Sequence, residues 1–133
     1  MEDCIFCKIV EGKSAGYKIA ENKNWIAILD IAPITFGHVL VISKKHYKNY
    51  LETPIDTLND AHQLIETICL KIKDKLNAKG FNITTNINRQ ANQVIFHMHW
   101  HIIPRYDEVY QMKPNRLTIT AKELQKLEKM LKI

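Results

Sequence analysis

Residues 93–106 read QVIFHMHWHIIPRY, and three of the six histidines, His97, His99 and His101, fall there at alternate positions. Imidazole binds zinc, titrates near neutrality, and serves as a nucleophile or proton donor. In a strand, alternate residues share a face, with Cα atoms about 6.5–7 Å apart. The three rings then form one row, while Met98, Trp100 and Ile102 form an apolar surface on the other side. An ordinary solvated sheet face explains such a row poorly, and burying imidazoles without partners costs free energy. One ion shared by all three would strain an extended strand. A division of labour is simpler, with one histidine on a metal and the others on a substrate.

The second chemical signal is Cys4-x-x-Cys7, the spacing of half a zinc site. The missing ligands would come from His38, His46, His62 or the histidine row. A thioredoxin-like thiol pair would normally follow a strand inside a longer α/β chain, which argues against a redox role. Cys69 falls inside a long apolar-periodic segment and reads as a core residue.

Several short elements must position these groups. Residues 5–10 are apolar and start the fold. Residues 18–21 and 25–30 read as two strands turned by ENKN, and VLVIS at 39–43 reads as a buried strand after the Pro33/Gly37 loop. The segment from Thr53 to Gly80 is the clearest helix. Thr53 suits its N-cap, Pro54 its first position and Gly80 its stop. Leu58, Ala61, Leu64 or Ile65, Ile68, Ile72 and Leu76 keep the helical period. Strands follow at about 81–87 and 94–103. A final helix, about 120–132, opens on a Thr120-x-x-Glu123 capping box. The pattern predicts an α+β fold: an antiparallel meander of five-stranded type with one long central helix and a C-terminal helix.

The 133 residues predict a single domain, 1–133. The N-terminus lacks a secretory pattern and no window is apolar enough to span a membrane, so a cytoplasmic location is expected. There a C-x-x-C pair binds metal or does redox chemistry more often than it forms a structural disulfide. The net charge of +5 favours anionic ligands such as phosphates. It does not call for nucleic acid. Lys122, Lys126, Lys129 and Lys132 recur at helical spacing, and with Lys113 they are better explained by a solvated helix face.

HMHWHIIPR resembles the His-x-His-x-His signature of the histidine-triad (HIT) nucleotide hydrolases and transferases. CIFCKIVEGK, AILDIAP, FGHVLVISKKH and ANQVIFHMHWHIIPR follow in that family's order, over about residues 4–106. The tail resembles the terminal helix of its bacterial, zinc-containing branch. The resemblance implies a structural zinc on Cys4, Cys7, His46 and His97, one per chain. It implies that His99 is the nucleophile toward the α-phosphorus of a nucleotide, that His101 contacts phosphate, and that His38 helps orient the group. Asp30 matches the ribose-binding acid, and Phe6, Ile9 and Ile28 the base pocket. Asn86 and Gln93 match contacts to ribose and phosphate. The implied activity is hydrolysis of nucleoside phosphoramidates or related purine nucleotides by a homodimer. The alternatives are a dinucleoside-polyphosphate hydrolase, or a zinc-stabilised nucleotide-binding or scaffolding module.

The chain departs from the family at three places. Asn88 and Asn92 stand where the loop before the triad usually has glycines, and asparagine tolerates positive φ better than most residues. Val94 stands where some members carry a hydroxyl. Phe36 replaces the second proline of the D-I-x-P-x-x-P-G-H block.

Overall fold

The computed structural model describes residues 3–107 and 116–133; Lys113 lies outside them. The elements are α1 (Ile5–Val10), β1 (Lys18–Glu21), β2 (Trp25–Leu29), β3 (Val39–Ser43), α2 (Ile55–Leu76), β4 (Gly80–Thr84), β5 (His99–Arg105) and α3 (Ala121–Leu131). Short 3₁₀ turns occupy Tyr50–Glu52 and Arg89–Ala91. All strand pairs are antiparallel, in the order β1-β2-β3-β5-β4. The first three strands run as a meander. β5 then enters between β3 and β4, so the histidine strand lies inside the sheet.

Both faces of the central strands are covered, which is why WIAIL and VLVIS are uniformly apolar. Trp25, Ala27, Leu29, Val39, Val41, Met98 and Ile102 face the helices and pack with Leu64, Ile68 and Ile72 of α2 and Leu124 and Leu127 of α3. The Trp25 indole N–H donates to the Thr57 carbonyl at 2.7 Å, tying β2 to α2. The alternate residues Ile26, Ile28, Leu40 and Ile42 face the other side and pack with Phe6 of α1. The apolar back of the histidine strand therefore packs on the long helix, as its alternation predicts.

The structure corrects several boundaries. Residues 5–10 form a helix, α1, with Cys4 as its cap. Thr53 does not cap α2. It closes the preceding 3₁₀ turn, and Pro54 itself takes the cap position. α2 stops at Asn77, in the left-handed conformation (φ 57°), and Gly80 instead opens β4. β4 ends at Thr84, short of 87, and β5 starts at His99, not near 94. Residues 94–98 form no strand: the Met98 amide donates to the Tyr47 carbonyl, on the connection out of β3. The capping box on α3 is present as expected, and Lys122, Lys126, Lys129 and Lys132 are exposed.

Candidate active site and metal cluster

The histidine row divides at its first member. His97 precedes β5 and is fully buried beside α1. Its Nε2 lies 2.7 Å from the Ser43 carbonyl oxygen. A carbonyl only accepts, so Nε2 carries the proton and Nδ1 presents its lone pair. That lone pair faces Cys4 Sγ at 3.2 Å, Cys7 Sγ at 3.4 Å and His46 Nδ1 at 3.1 Å. His46 Nδ1 is in turn 3.2 Å from Cys7 Sγ. The four donor atoms all lie within 4.8 Å of one another. A tetrahedral zinc with ordinary bond lengths sets such edges at about 3.4–3.8 Å. The donor set, its burial and the Ser43 brace all fit a closed Cys₂His₂ zinc site. Burial and the neighbouring Cys4 push the Cys7 thiol up to about 11. A cation is what makes such a buried thiol a thiolate.

His99 and His101 instead face a cleft of about 850 Å³. His99 Nδ1 lies 2.7 Å from the His97 carbonyl, so Nδ1 donates and Nε2 keeps a free lone pair. The Thr85 hydroxyl also donates to the His99 carbonyl, at 2.8 Å, which ties the row to the loop after β4. Burial lowers the His99 pKa, although its bond to His97 opposes the shift. The ring is therefore neutral at pH 7.

His38 sits behind His101 rather than on the cleft surface, and it is 1% exposed. The Ile34 amide donates to His38 Nδ1 at 3.1 Å, so His38 carries its proton on Nε2. That proton points to His101 Nδ1, 3.0 Å away. His101 then presents an Nε2–H. Burial pushes both pKa values down to about 3, so the pair is neutral. Asp30 Oδ2 lies 3.6 Å from His38 Nε2, and Asp30, His38 and His101 are grouped closely enough to resemble a metal site. The Ile34 amide argues against one, because a cation on His38 Nε2 would require a proton on Nδ1. The Asp30 carboxylate lies beside the two rings without bonding them, and His38 and His101 form a hydrogen-bonded pair. Gly37 makes it possible: its φ is +85°, and a Cβ there would meet Leu76 Cδ1 at 2.7 Å.

Phe6, Ile9, Ile28, Asp30, Asn86 and Gln93 all line the same cleft, with Phe6 edge-on to His99 at 5.0 Å between ring centres. Gln93 is committed elsewhere. Its Nε2 donates to the Lys48 and Ile95 carbonyls and its Oε1 accepts from the Asn88 amide. It braces the loop and has no N–H left for a phosphate. Asn88 and Asn92 both take φ of 72°, so the glycine-free loop keeps a glycine-type path. Val94 is 82% exposed and has no hydroxyl to offer. Of the other ligand candidates, His62 stacks obliquely on Trp100. Cys69 is partly buried against the main core.

Sequence reasoning missed Ser43, Thr85 and Arg116. The first two act through a carbonyl and a hydroxyl that any strand or loop offers. Arg116 lines the cleft from beyond the signature blocks, and tertiary approach alone brings it there.

An antiparallel α+β sheet bearing a row of neutral imidazoles, anchored at one end by a Cys₂His₂ cluster, defines a histidine-site protein with a substrate-sized cleft. The chain belongs to the HIT family: the HIT domain model matches residues 11–108. An uncharacterized HIT-like protein of Saccharolobus solfataricus is 43% identical over 105 residues, 79% of this chain and 76% of that protein. The adenosine 5'-monophosphoramidase of Candida albicans is 38% identical over 109 residues, 79% of this chain and 72% of that protein. The crystal structure of a Zn-bound histidine triad family protein from Mycobacterium smegmatis superposes with a TM-score of 0.83 at 32% identity, over 98% of this chain and 94% of that one. Among the described residues no helix is long and apolar enough to cross a membrane.

Proposed function

We propose that the protein is a nucleotide hydrolase that cleaves the α-phosphate bond of nucleoside phosphoramidates or related purine nucleotides through His99. The observation that carries this is the His99 tautomer. Its Nδ1–H is committed to the His97 carbonyl at 2.7 Å, which leaves Nε2 unprotonated on the cleft side of the sheet. Nε2 attacks the α-phosphorus and a P–N bond forms. The bond to the leaving group breaks, and that group departs with its electron pair and takes a proton from solvent. Water then attacks phosphorus, the P–N bond breaks, and a nucleoside monophosphate leaves. One difficult displacement becomes two easier ones.

The neighbouring groups have matching tasks. His101 Nε2–H donates to a phosphate oxygen as charge develops, and His38 holds that tautomer. The His97 carbonyl stabilises the positive charge that forms on His99. Phe6, Ile9 and Ile28 receive the base, Asp30 accepts from ribose hydroxyls, and Asn86 closes the phosphate end. Gln93 shapes the loop there. The kinship with a monophosphoramidase supports this substrate class.

Cys4, Cys7, His46 and His97 would hold one zinc, which supplies rigidity and no chemistry to the substrate. A reducing compartment such as the cytoplasm suits those thiols. β4 is an edge strand, and Ile83 on it is 46% exposed. That edge suits the homodimer, with the two sheets continuing across its interface.

The test compares adenosine 5′-phosphoramidate with a diadenosine polyphosphate, using the parent chain and His99→Ala. Phosphoramidate turnover that vanishes in the variant, with zinc and fold retained, supports the proposal. Faster cleavage of the polyphosphate reassigns the substrate. Nucleotide binding without turnover in the parent chain reduces the protein to a binding module.

A further inference from the structure

Arg116 stands beyond the histidine signature, yet it closes one wall of the cleft. Its Nη1 donates to Asp30 Oδ2 at 3.2 Å and to the Ala32 carbonyl at 2.6 Å. Asp30 Oδ1 accepts from the Ala32 amide at 2.8 Å. Guanidinium, carboxylate and peptide thus form a closed ring across the loop that follows β2. The backbone beside Arg116 is pinned independently, because the Leu117 amide donates to the Pro33 carbonyl at 2.7 Å. Further along, α3 docks on the core and the Ile133 amide bonds the Ile19 carbonyl at 2.7 Å. The guanidinium is therefore delivered by an anchored segment and is not a loose surface charge.

The arithmetic of the carboxylate gives this ring a purpose. An ionised carboxylate accepts about four hydrogen bonds. The Ala32 amide and Arg116 use one on each oxygen, which leaves one lone pair on each for a ligand. Two adjacent hydroxyls of a ribose match two such acceptors on one planar group. Without Arg116 the Asp30 carboxylate keeps the Ala32 amide alone and turns about its own bonds. The guanidinium fixes its plane, because one planar nitrogen spans carboxylate and carbonyl together.

We propose that Arg116 is a specificity-determining positioning residue, which clamps Asp30 in the plane that reads the ribose diol and makes the cleft select ribonucleotides over 2′-deoxyribonucleotides. This rests on the reading above that Asp30 faces the ribose. It assigns a binding task to a segment outside the histidine signature. It also couples selectivity to the docking of α3, since that helix anchors the strap carrying Arg116.

The experiment measures Kd for AMP and for 2′-deoxy-AMP by calorimetry on the zinc-loaded full chain, with Arg116→Ala, Arg116→Lys, Asp30→Asn and the Asp30→Asn/Arg116→Ala double variant. The ratio of the two constants is the readout, because general damage to the fold weakens both ligands alike. The parent chain is expected to prefer AMP by about tenfold, the worth of one hydrogen bond to a charged acceptor. Arg116→Ala and Asp30→Asn each bring the ratio near one, the double variant adds nothing, and Arg116→Lys restores part of it. A ratio unchanged in Arg116→Ala but lost in Asp30→Asn overturns the clamp and leaves the ribose reading intact. A ratio unchanged in Asp30→Asn overturns the ribose reading and the clamp with it. No binding of AMP by the parent chain overturns the nucleotide assignment itself.

Discussion

The Cys₂His₂ cluster and the cleft are built from the same residue type, two positions apart on one stretch of chain. In the cluster, His97 spends its Nε2–H on the Ser43 carbonyl and turns Nδ1 toward two sulfurs. In the cleft, His99 spends its Nδ1–H on the His97 carbonyl and keeps Nε2 free. The chemistry of each ring is decided by which nitrogen its backbone neighbour occupies. One residue links the two regions: the His97 carbonyl fixes the His99 tautomer while the His97 ring belongs to the Cys₂His₂ cluster. Under the proposed function, a zinc held by the cluster would therefore brace the strand that carries His99 without meeting the substrate.

The comparison breaks most sharply under substitution of one residue in each region. His99→Ala should remove nucleoside monophosphate release by at least about a thousandfold, as loss of a covalent nucleophile does, with zinc content and melting temperature unchanged. Cys7→Ser, or a strong chelator, should act the other way round. The melting temperature should fall by roughly 10 °C or more, since a structural site contributes folding energy directly, and activity should decline only as the fold is lost. Equal effects of both changes on stability would erase the distinction.

Acid separates the regions less completely. His38 and His101 titrate near 3 in the folded chain, against about 6.5 when unfolded. Their folded pKa values are depressed because burial disfavours the charged ring. The unfolded chain therefore binds more protons, and stability is complete above about pH 6.5 and falls as pH drops toward 3. Chemical denaturation at pH 7.5, 6 and 5 should show a progressive loss, and the His38→Gln variant should show a smaller one. The His99 pKa is lowered as well, so the acid limb of kcat/KM should lie below pH 6.5. A limb above 6.5 would mean a different titrating group.

The smallest effect concerns the loop between the two regions. Asn92→Gly should be close to neutral, whereas Asn92→Ala should cost about 1 kcal/mol, because φ of 72° suits glycine and asparagine but crowds a plain Cβ. Urea unfolding would resolve both. Equal stability of the two variants would mean that the loop relaxes out of the left-handed conformation.

The parts of this architecture that were legible in the sequence are those that repeat. Alternation at 97, 99 and 101 announced one face, and the apolar VLVIS run announced a buried strand. The helical period of α2 was equally plain. Its ends were not, because Thr53 has a competing use in the 3₁₀ turn before it and Asn77 stops the helix before Gly80 is reached. The early start expected for β5 failed for a related reason: residues 94–98 are apolar, but the Met98 amide is satisfied by Tyr47. For the site, the residue types exposed the chemistry, while the assignment of each ring came from resemblance. Arg116 and the Ser43 carbonyl were illegible, because only tertiary approach gives them a role. Gln93 shows the converse, a residue that the family resemblance matched to a ribose or phosphate contact but whose N–H groups are already taken.

The direct test of His99 as nucleophile is a single-turnover reaction with adenosine 5′-phosphoramidate, stopped by quenching under alkaline denaturing conditions that preserve a P–N bond. Mass spectrometry of the intact chain and of its peptides would then follow. The expected result is a transient mass increase of one adenylyl group, mapped to His99 and absent from His99→Ala. Turnover without any adduct, or an adduct on His97 or His101, would contradict it.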